Sequence, residues 1–184
     1  MKALLLIDIQ NDYFPGGKME LEGSEDAGQI AGGLLAAFRE YGLPVFHVRH
    51  ISTRTDAGFF LSNTEGSLIH RSVEPLAEEP VVIKHFPNSF RETTLLGQLR
   101  ERNISGLVVA GMMTHMCVDT TVRAACDLGF TCTLAHDACA GRALSFGGRT
   151  VSARDAHTAY MAALNRIFAR VVDAAAIRAE LSSR

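Results

Sequence analysis

Residues 106–126, Gly-Leu-Val-Val-Ala-Gly-Met-Met-Thr-His-Met-Cys-Val-Asp-Thr-Thr-Val-Arg-Ala-Ala-Cys, constrain this chain more than any other stretch. Positions 107–110 are a short, partly β-branched apolar run that stops at Gly111, the pattern of a buried parallel strand delivering the backbone into a turn. Val118, Thr121, Val122 and Ala125 then recur at helical spacing, which predicts a helix starting near Met116 or Cys117 with that face against the sheet. Cys117 therefore falls at a helix N-terminus. There the helix dipole and unpaired backbone N–H groups favour the thiolate and are expected to lower the thiol pKa from about 8.5. The same N–H groups suit an oxyanion. A cysteine taken alone has another reading, as a small apolar packing residue.

Two charges stand at the ends of apolar runs upstream. Residues 2–9 are a compact strand with Asp8 at its carboxyl end. Parallel strands are buried on both faces and place ligands beyond their carboxyl ends, so a charge there marks a site; the alternative is an aspartate that caps the next loop. Residues 80–84 read as another strand, ending in Lys84. A lysine there is costly unless a carboxylate or a function keeps it, or unless it reaches back to solvent. Between them, 25–41 reads as a helix with Ile30, Leu34, Leu35 and Phe38 inward, closed by Gly42, and 44–50 as a second strand. The polar loop 54–67 carries Phe59 and Phe60 and is long enough to wall a pocket or meet a second subunit. Further on, the pattern predicts a helix up to 102 with Leu95, Leu96 and Leu99 inward and a strand over 131–135. It then predicts a loop over 136–140, with Asp137 fixing the loop or capping a helix. A helix over 152–168 containing His157, a strand over 171–173 and a helix over 174–181 complete the chain. Strands alternating with helices, without linker or repeat, indicate a single doubly wound α/β domain over 1–184.

Composition narrows the partners. The 184 residues suffice for a full core, and 47% hydrophobic with 21% charged residues is ordinary for a globular protein. A net charge of −2 with no Lys/Arg cluster argues against nucleic acid. The first apolar run is too short and too charged for a signal peptide or a membrane span. Cysteines at 117, 126, 132 and 139 lack CxxC spacing and read as free thiols in a reducing, cytoplasmic setting, not as a metal cluster. Gly-x-Gly-x-x-Gly and Walker patterns are absent, which argues against phosphate binding.

The run Gly-Met-Met-Thr-His-Met-Cys-Val-Asp-Thr-Thr-Val-Arg-Ala resembles the cysteine signature of the isochorismatase-like hydrolases, a superfamily that includes nicotinamidases and N-carbamoyl amide hydrolases. Leu-Ile-Asp-Ile-Gln-Asn-Asp-Tyr-Phe, followed by Pro15-Gly16-Gly17, resembles its opening motif. Lys84 with Asn88-Ser89-Phe90 resembles its Lys-x-x-x-Ser-Ala-Phe motif, and the Asp-Ala-x-Ala at 137–140 is also family-like. The resemblance spans nearly the whole chain. It implies a three-layer α/β fold with a six-stranded, mostly parallel sheet and a triad of Asp8, Lys84 and Cys117. Asp8 would be general base and then acid, Lys84 would hold Asp8 and stabilise the thiolate, and Cys117 would be the nucleophile. It also implies a cis peptide near Met112–Met113, backbone N–H groups of Met113 and Cys117 as oxyanion hole, and Phe14, Phe60, Phe90, Thr114 and His115 around a small-molecule substrate. Relatives are commonly dimers or tetramers, so a homodimer or homotetramer is expected.

Many nicotinamidase-type relatives hold a metal through Asp-x-His after the second strand. Here His47, His50 and the later His70 have no Asp two residues before them, and residues 47 and 50 of a strand face opposite sides. Neither metal nor cofactor is assigned. The leading reading is a hydrolase of a C–N bond in an amide, carbamoyl compound or ureide. The alternatives are vinyl-ether hydrolysis of isochorismate, where protonation by the Asp and attack by water need no cysteine, and a non-catalytic binding protein on the same fold. A redox protein would need a resolving thiol, and Cys126 lies more than two helical turns away.

Overall fold

A computed structural model describes residues 1–183. Its main sheet has six parallel strands: β1 (Lys2–Ile7), β2 (Val45–His50), β3 (Val81–Lys84), β4 (Gly106–Met112), β5 (Thr131–Ala140) and β8 (Arg170–Val172). Their order is β3-β2-β1-β4-β5-β8. A small antiparallel hairpin, β6 (Leu144–Phe146) and β7 (Arg149–Val151), lies outside it. The helices are α1 (Ser24–Glu40), α2 (Leu95–Glu101), α3 (Asp119–Asp127), α4 (Ala153–Leu164) and α5 (Ala174–Ser182).

Alternate residues of β1 show how the layers form. Leu4 and Leu6 face one core with Ala31, Leu34 and Phe38 of α1 and Ile177 and Leu181 of α5. Ala3, Leu5 and Ile7 face a second core with Leu95 and Leu99 of α2, Val122 and Ala125 of α3, and Met161 and Leu164 of α4. A period of two buried on both faces, with helices of period 3.6 against each, produces three layers. Each fully buried leucine contributes about 1.5–3 kcal/mol of hydrophobic transfer energy. Helix α1 stops where Gly42 turns left-handed at φ 60°, with Gly42 N–H on Arg39 and Leu43 N–H on Phe38, a Schellman cap.

The chain leaves β1 for β2 and β3 on one side, then returns to β4 on the other. The switch point between β1 and β4, beyond the strand carboxyl ends, is where such sheets hold ligands. Gly111 permits the two strands to approach there: at φ 148° it sits where a Cβ would collide with the Ile7 carbonyl oxygen.

The structure departs locally from the sequence reading at four places. The helix expected to begin near Cys117 is preceded by a wide π turn, Thr114–Val118, and α3 proper starts at Asp119. Strand β5 continues to Ala140 because its pairing with β4 resumes at Gly111 and Cys139 after a bulge, so the expected loop over 136–140 rejoins the sheet. The helix expected over 152–168 ends at Leu164. Phe59 and Phe60 are turned inward: Phe60 is 1% exposed, with its N–H on Asp12 Oδ2 at 2.6 Å and its ring 4.6 Å from that of Tyr13.

Candidate active site

Each strand at the switch point delivers one residue. Asp8 follows β1, His50 ends β2, Lys84 ends β3, and Cys117 lies on the π turn after β4. Asp8 adopts φ 51°, a left-handed conformation rare for a non-glycine residue, in a fully buried position. Its N–H is held by the Val48 carbonyl at 3.0 Å. The Met112–Met113 peptide is cis, and the Met113 carbonyl accepts from both Met116 and Val118 N–H, which opens the turn carrying Cys117.

The charges meet at the Lys84 ammonium. Its Nζ lies 2.6 Å from Asp8 Oδ2, 2.8 Å from His50 Nδ1 and 3.2 Å from Cys117 Sγ. Asp8 and Lys84 are 0% exposed and Cys117 6%, while His50 is half-buried. Burial works against the charged lysine, but Asp8 and then Cys117 outweigh it and hold the ammonium protonated. Burial, followed by the Lys84 charge, pushes His50 down to about 4, so its imidazole is neutral and Nδ1 accepts.

The thiol runs against the sequence expectation. Burial and the neighbouring Asp8 carboxylate push the Cys117 pKa well up, and the opposing pull of Lys84 does not cancel them. The helix-terminus argument took no account of desolvation or of an adjacent carboxylate. Burial likewise raises Cys132 and Cys139 to about 12. Cys117 thus rests as a thiol beside a carboxylate that can take its proton.

The supporting contacts explain the flanking motifs. Ser89 ties the segment after Lys84 to α3: its N–H and Oγ both meet Thr121 Oγ1, at 3.0 and 2.9 Å. Thr114 is buried and its Oγ1 meets His157 Nδ1 at 3.0 Å, so that helical histidine anchors the π turn. Asp137 Oδ1 accepts the Ala174 N–H at the start of α5.

Of the expected wall residues, Phe60 has its ring 5.8 Å from that of His50. Phe14 stacks on His70 at 3.5 Å and lines a cavity of about 550 Å³ with Asn11, Asp12, Phe59 and Leu61. Phe90 packs 6.0 Å from Phe130, and the half-buried His115 lies 6.1 Å from Tyr160. Met113 immediately precedes the π turn and Cys117 lies within it.

The histidines considered for a metal diverge. His47 Nε2 meets Glu79 Oε2 at 2.9 Å, His50 meets Lys84, and His70 meets Ser72 Oγ at 3.0 Å. They do not fit the metal set of nicotinamidase-type relatives. Asp8, His50 and Cys117 do offer ligand atoms within 4.8 Å of one another, but the Lys84 ammonium already sits among those atoms.

Gln10 escaped the sequence reading, and His50 was weighed there only as a metal ligand. Gln10 is fully buried; its Oε1 accepts the His50 N–H at 2.7 Å, and its Nε2 donates to the His50 and Ser67 carbonyls at 2.9 and 2.8 Å. The signal for His50 was its place at the end of the strand between those carrying Asp8 and Lys84.

Comparison with known proteins places this arrangement. The Isochorismatase domain model matches residues 2–176. The chain belongs to the isochorismatase family. It is 53% identical to the isochorismatase family protein YddQ of Bacillus subtilis over 92% of this chain and 94% of that protein. It is 33% identical to a streptothricin hydrolase of Streptomyces noursei over 75% of this chain and 49% of that one, and 27% identical to the nicotinamidase of Escherichia coli over 76% and 83%. A crystal structure of an isochorismatase-family protein from Oleispira antarctica superposes with a TM-score of 0.93 at 50% identity, covering 97% of this chain and 96% of that one. This isochorismatase-family hydrolase thus shares its sheet, from β1 to β8, with solved relatives.

Proposed function

We propose that this chain hydrolyses a C–N bond in a small amide, carbamoyl compound or ureide through Asp8, Lys84 and Cys117. The observation that carries the reading is one buried ammonium held at once by a carboxylate oxygen at 2.6 Å and a sulfur at 3.2 Å. Relatives named nicotinamidase and streptothricin hydrolase support the choice of bond.

Asp8 takes the thiol proton as Cys117 Sγ attacks the substrate carbonyl carbon. The charge of the group does not change in that transfer, since carboxylate and thiol become acid and thiolate around the same ammonium. The carbonyl oxygen becomes an oxyanion facing the Met113 and Cys117 amides. Asp8 returns the proton to the leaving nitrogen, the C–N bond breaks and a thioester remains. Water then gives a proton to Asp8 as it attacks the thioester carbonyl. The thiolate leaves with the acid released and recovers its proton from Asp8.

A panel of amides and ureides beside isochorismate tests this, with acid-quenched mass spectrometry to detect an acyl adduct on Cys117. Cys117→Ala should abolish C–N hydrolysis and the adduct while leaving the circular dichroism spectrum and unfolding midpoint near wild type. Turnover by Cys117→Ala at the wild-type rate would remove the nucleophile. Isochorismate consumed equally well by both proteins would favour vinyl-ether chemistry.

A further inference from the structure

We propose that His50 is a positioning residue of this site: its imidazole takes the third N–H of the Lys84 ammonium through Nδ1, and so aims the other two at Asp8 and Cys117. The inference rests on the reading of Cys117 as nucleophile. It adds a fourth residue to the three that carry the proposed chemistry.

The sheet brings the residues together. Lys84 ends β3 and Asp8 follows β1, with β2 between them. A lysine reaching from β3 to β1 must pass over the end of β2, and in the parallel register His50 is the partner of Lys84. Partnered residues of neighbouring strands project from the same face, so residue 50 lies in the path of the ammonium. The 2.8 Å contact is the result.

An ammonium carries three donors and no acceptor. Lys84 is fully buried; its ammonium is hydrogen-bonded to His50 Nδ1 and Cys117 Sγ at 2.8 and 3.2 Å and ion-paired with Asp8 Oδ2 at 2.6 Å. With all three in place the rotation about Cε–Nζ is fixed. Without His50 the freed N–H turns toward another acceptor, and the contact that yields is the weakest, the one to sulfur. Loss of that contact removes the one charge that stabilises the thiolate.

The position of the imidazole is itself set. Gln10 holds both the N–H and the C=O of residue 50, as a neighbouring peptide would, and the Phe60 ring lies against the imidazole. The titratable groups facing His50 are Lys84 and His85 from the end of β3, Asp8 from the end of β1 and Cys117 from the π turn. Cys117 already takes one of the other N–H groups and His85 Nδ1 is turned to the Ile51 carbonyl at 2.7 Å, whereas the Asp8 carboxylate oxygens have no hydrogen-bond partner among the described residues, so the freed N–H turns toward Asp8 and away from sulfur.

The test reads Cys117 directly and needs no known substrate. The rate of iodoacetamide alkylation of the Cys117 peptide is followed against pH by mass spectrometry in the full chain, for wild type, His50→Leu, His50→Asn, His50→Gln and Lys84→Met. His50→Leu should raise the midpoint by about one pH unit, a tenfold loss of thiolate at a given pH, in the direction of Lys84→Met. His50→Asn should stay within about threefold of wild type, because its Oδ1 stands two bonds beyond Cβ as Nδ1 does, whereas Gln places its acceptor one bond too far.

Two results overturn the proposal alone: His50→Leu matching wild type while Lys84→Met is shifted, or Asn and Gln shifted equally, which would make residue 50 a packing residue. If Lys84→Met also leaves the profile unchanged, the pairing of Lys84 with Cys117 fails and the proposal falls with it. Should His50→Leu fail to fold by circular dichroism, the comparison of Asn with Gln decides.

Discussion

At Cys117 three influences compete: burial and the Asp8 carboxylate favour the neutral thiol, and the Lys84 ammonium favours the thiolate. The balance makes Asp8→Asn informative, because the two jobs assigned to this aspartate respond in opposite directions. Without the carboxylate the thiol pKa should fall, since a charge that opposed ionisation is gone and Lys84 is left with fewer competing acceptors. Turnover should nevertheless drop by about 10²–10⁴-fold, because no group remains to carry the proton to the leaving nitrogen. Alkylation profiles and steady-state assays on the same preparation read both quantities. An Asp8→Asn protein that keeps wild-type turnover would show that the proton travels by another route. Asp8 and Lys84 were legible as charges set at the ends of apolar runs, Cys117 by its place where a turn meets a helix, and the three together through the family-like motifs around them. Gln10 and His50 were not. A glutamine that mimics a peptide partner and a histidine that accepts from a lysine have no local pattern; only the register of β2 against β1 and β3 brings them to the site.

At the scale of elements, the loop over 54–67 is tied down by Gln10, which donates to the Ser67 carbonyl, and by the Asp12 carboxylate. Asp12 accepts Phe60 N–H at Oδ2 and Lys18 N–H at Oδ1, at 2.6 and 3.2 Å, and so holds Phe60 in a left-handed conformation at φ 56°. Phe60 in turn packs on Tyr13 and lies beside His50. Gly66 leaves room for that carboxylate: a Cβ there would collide with Asp12 Oδ1 and Cγ. Gly66→Ala should therefore displace the carboxylate, free the Phe60 backbone and cost about 1–3 kcal/mol in urea unfolding. Limited proteolysis should cut the loop faster than in wild type; equal cutting rates would show that Asp12 is not what restrains it. The sequence pattern identified the loop and its two phenylalanines but not their burial, because polar neighbours dominate the segment and the burying partner, Tyr13, lies 47 residues before Phe60 in the chain. The hairpin β6–β7 went unread for a related reason. Its strands are three residues each, too short to show alternation.

Across the whole molecule, β2 connects two buried polar clusters that face opposite sides of the sheet, and both respond to acid. On one side His50 is held down to about 4, by burial and then by Lys84. On the other, Glu79 resists the effect of burial: hydrogen bonds from Arg39, the Leu76 N–H and His47 hold it down to about 2. Arg39 belongs to α1 and His47 to β2, so this carboxylate joins one helix layer to the sheet just before β3. A folded pKa below the unfolded one means that the unfolded chain binds the proton first. For His50 the contribution is complete above 6.5 and is lost as pH falls through 4; for Glu79 it is complete above 4.5 and is lost as pH falls through 2. The thermal midpoint should thus hold steady above pH 6.5 and decline in two overlapping stages below it. Glu79→Gln should lower the midpoint at neutral pH and flatten the lower stage. His50→Asn should shrink the upper stage without abolishing it, because burial also depresses His47, His70, His115 and His157. Calorimetry of the three proteins between pH 2 and 8 decides this, and a Glu79→Gln protein whose midpoint falls with acid as steeply as wild type below pH 4.5 would show that this carboxylate does not tie α1 to the sheet.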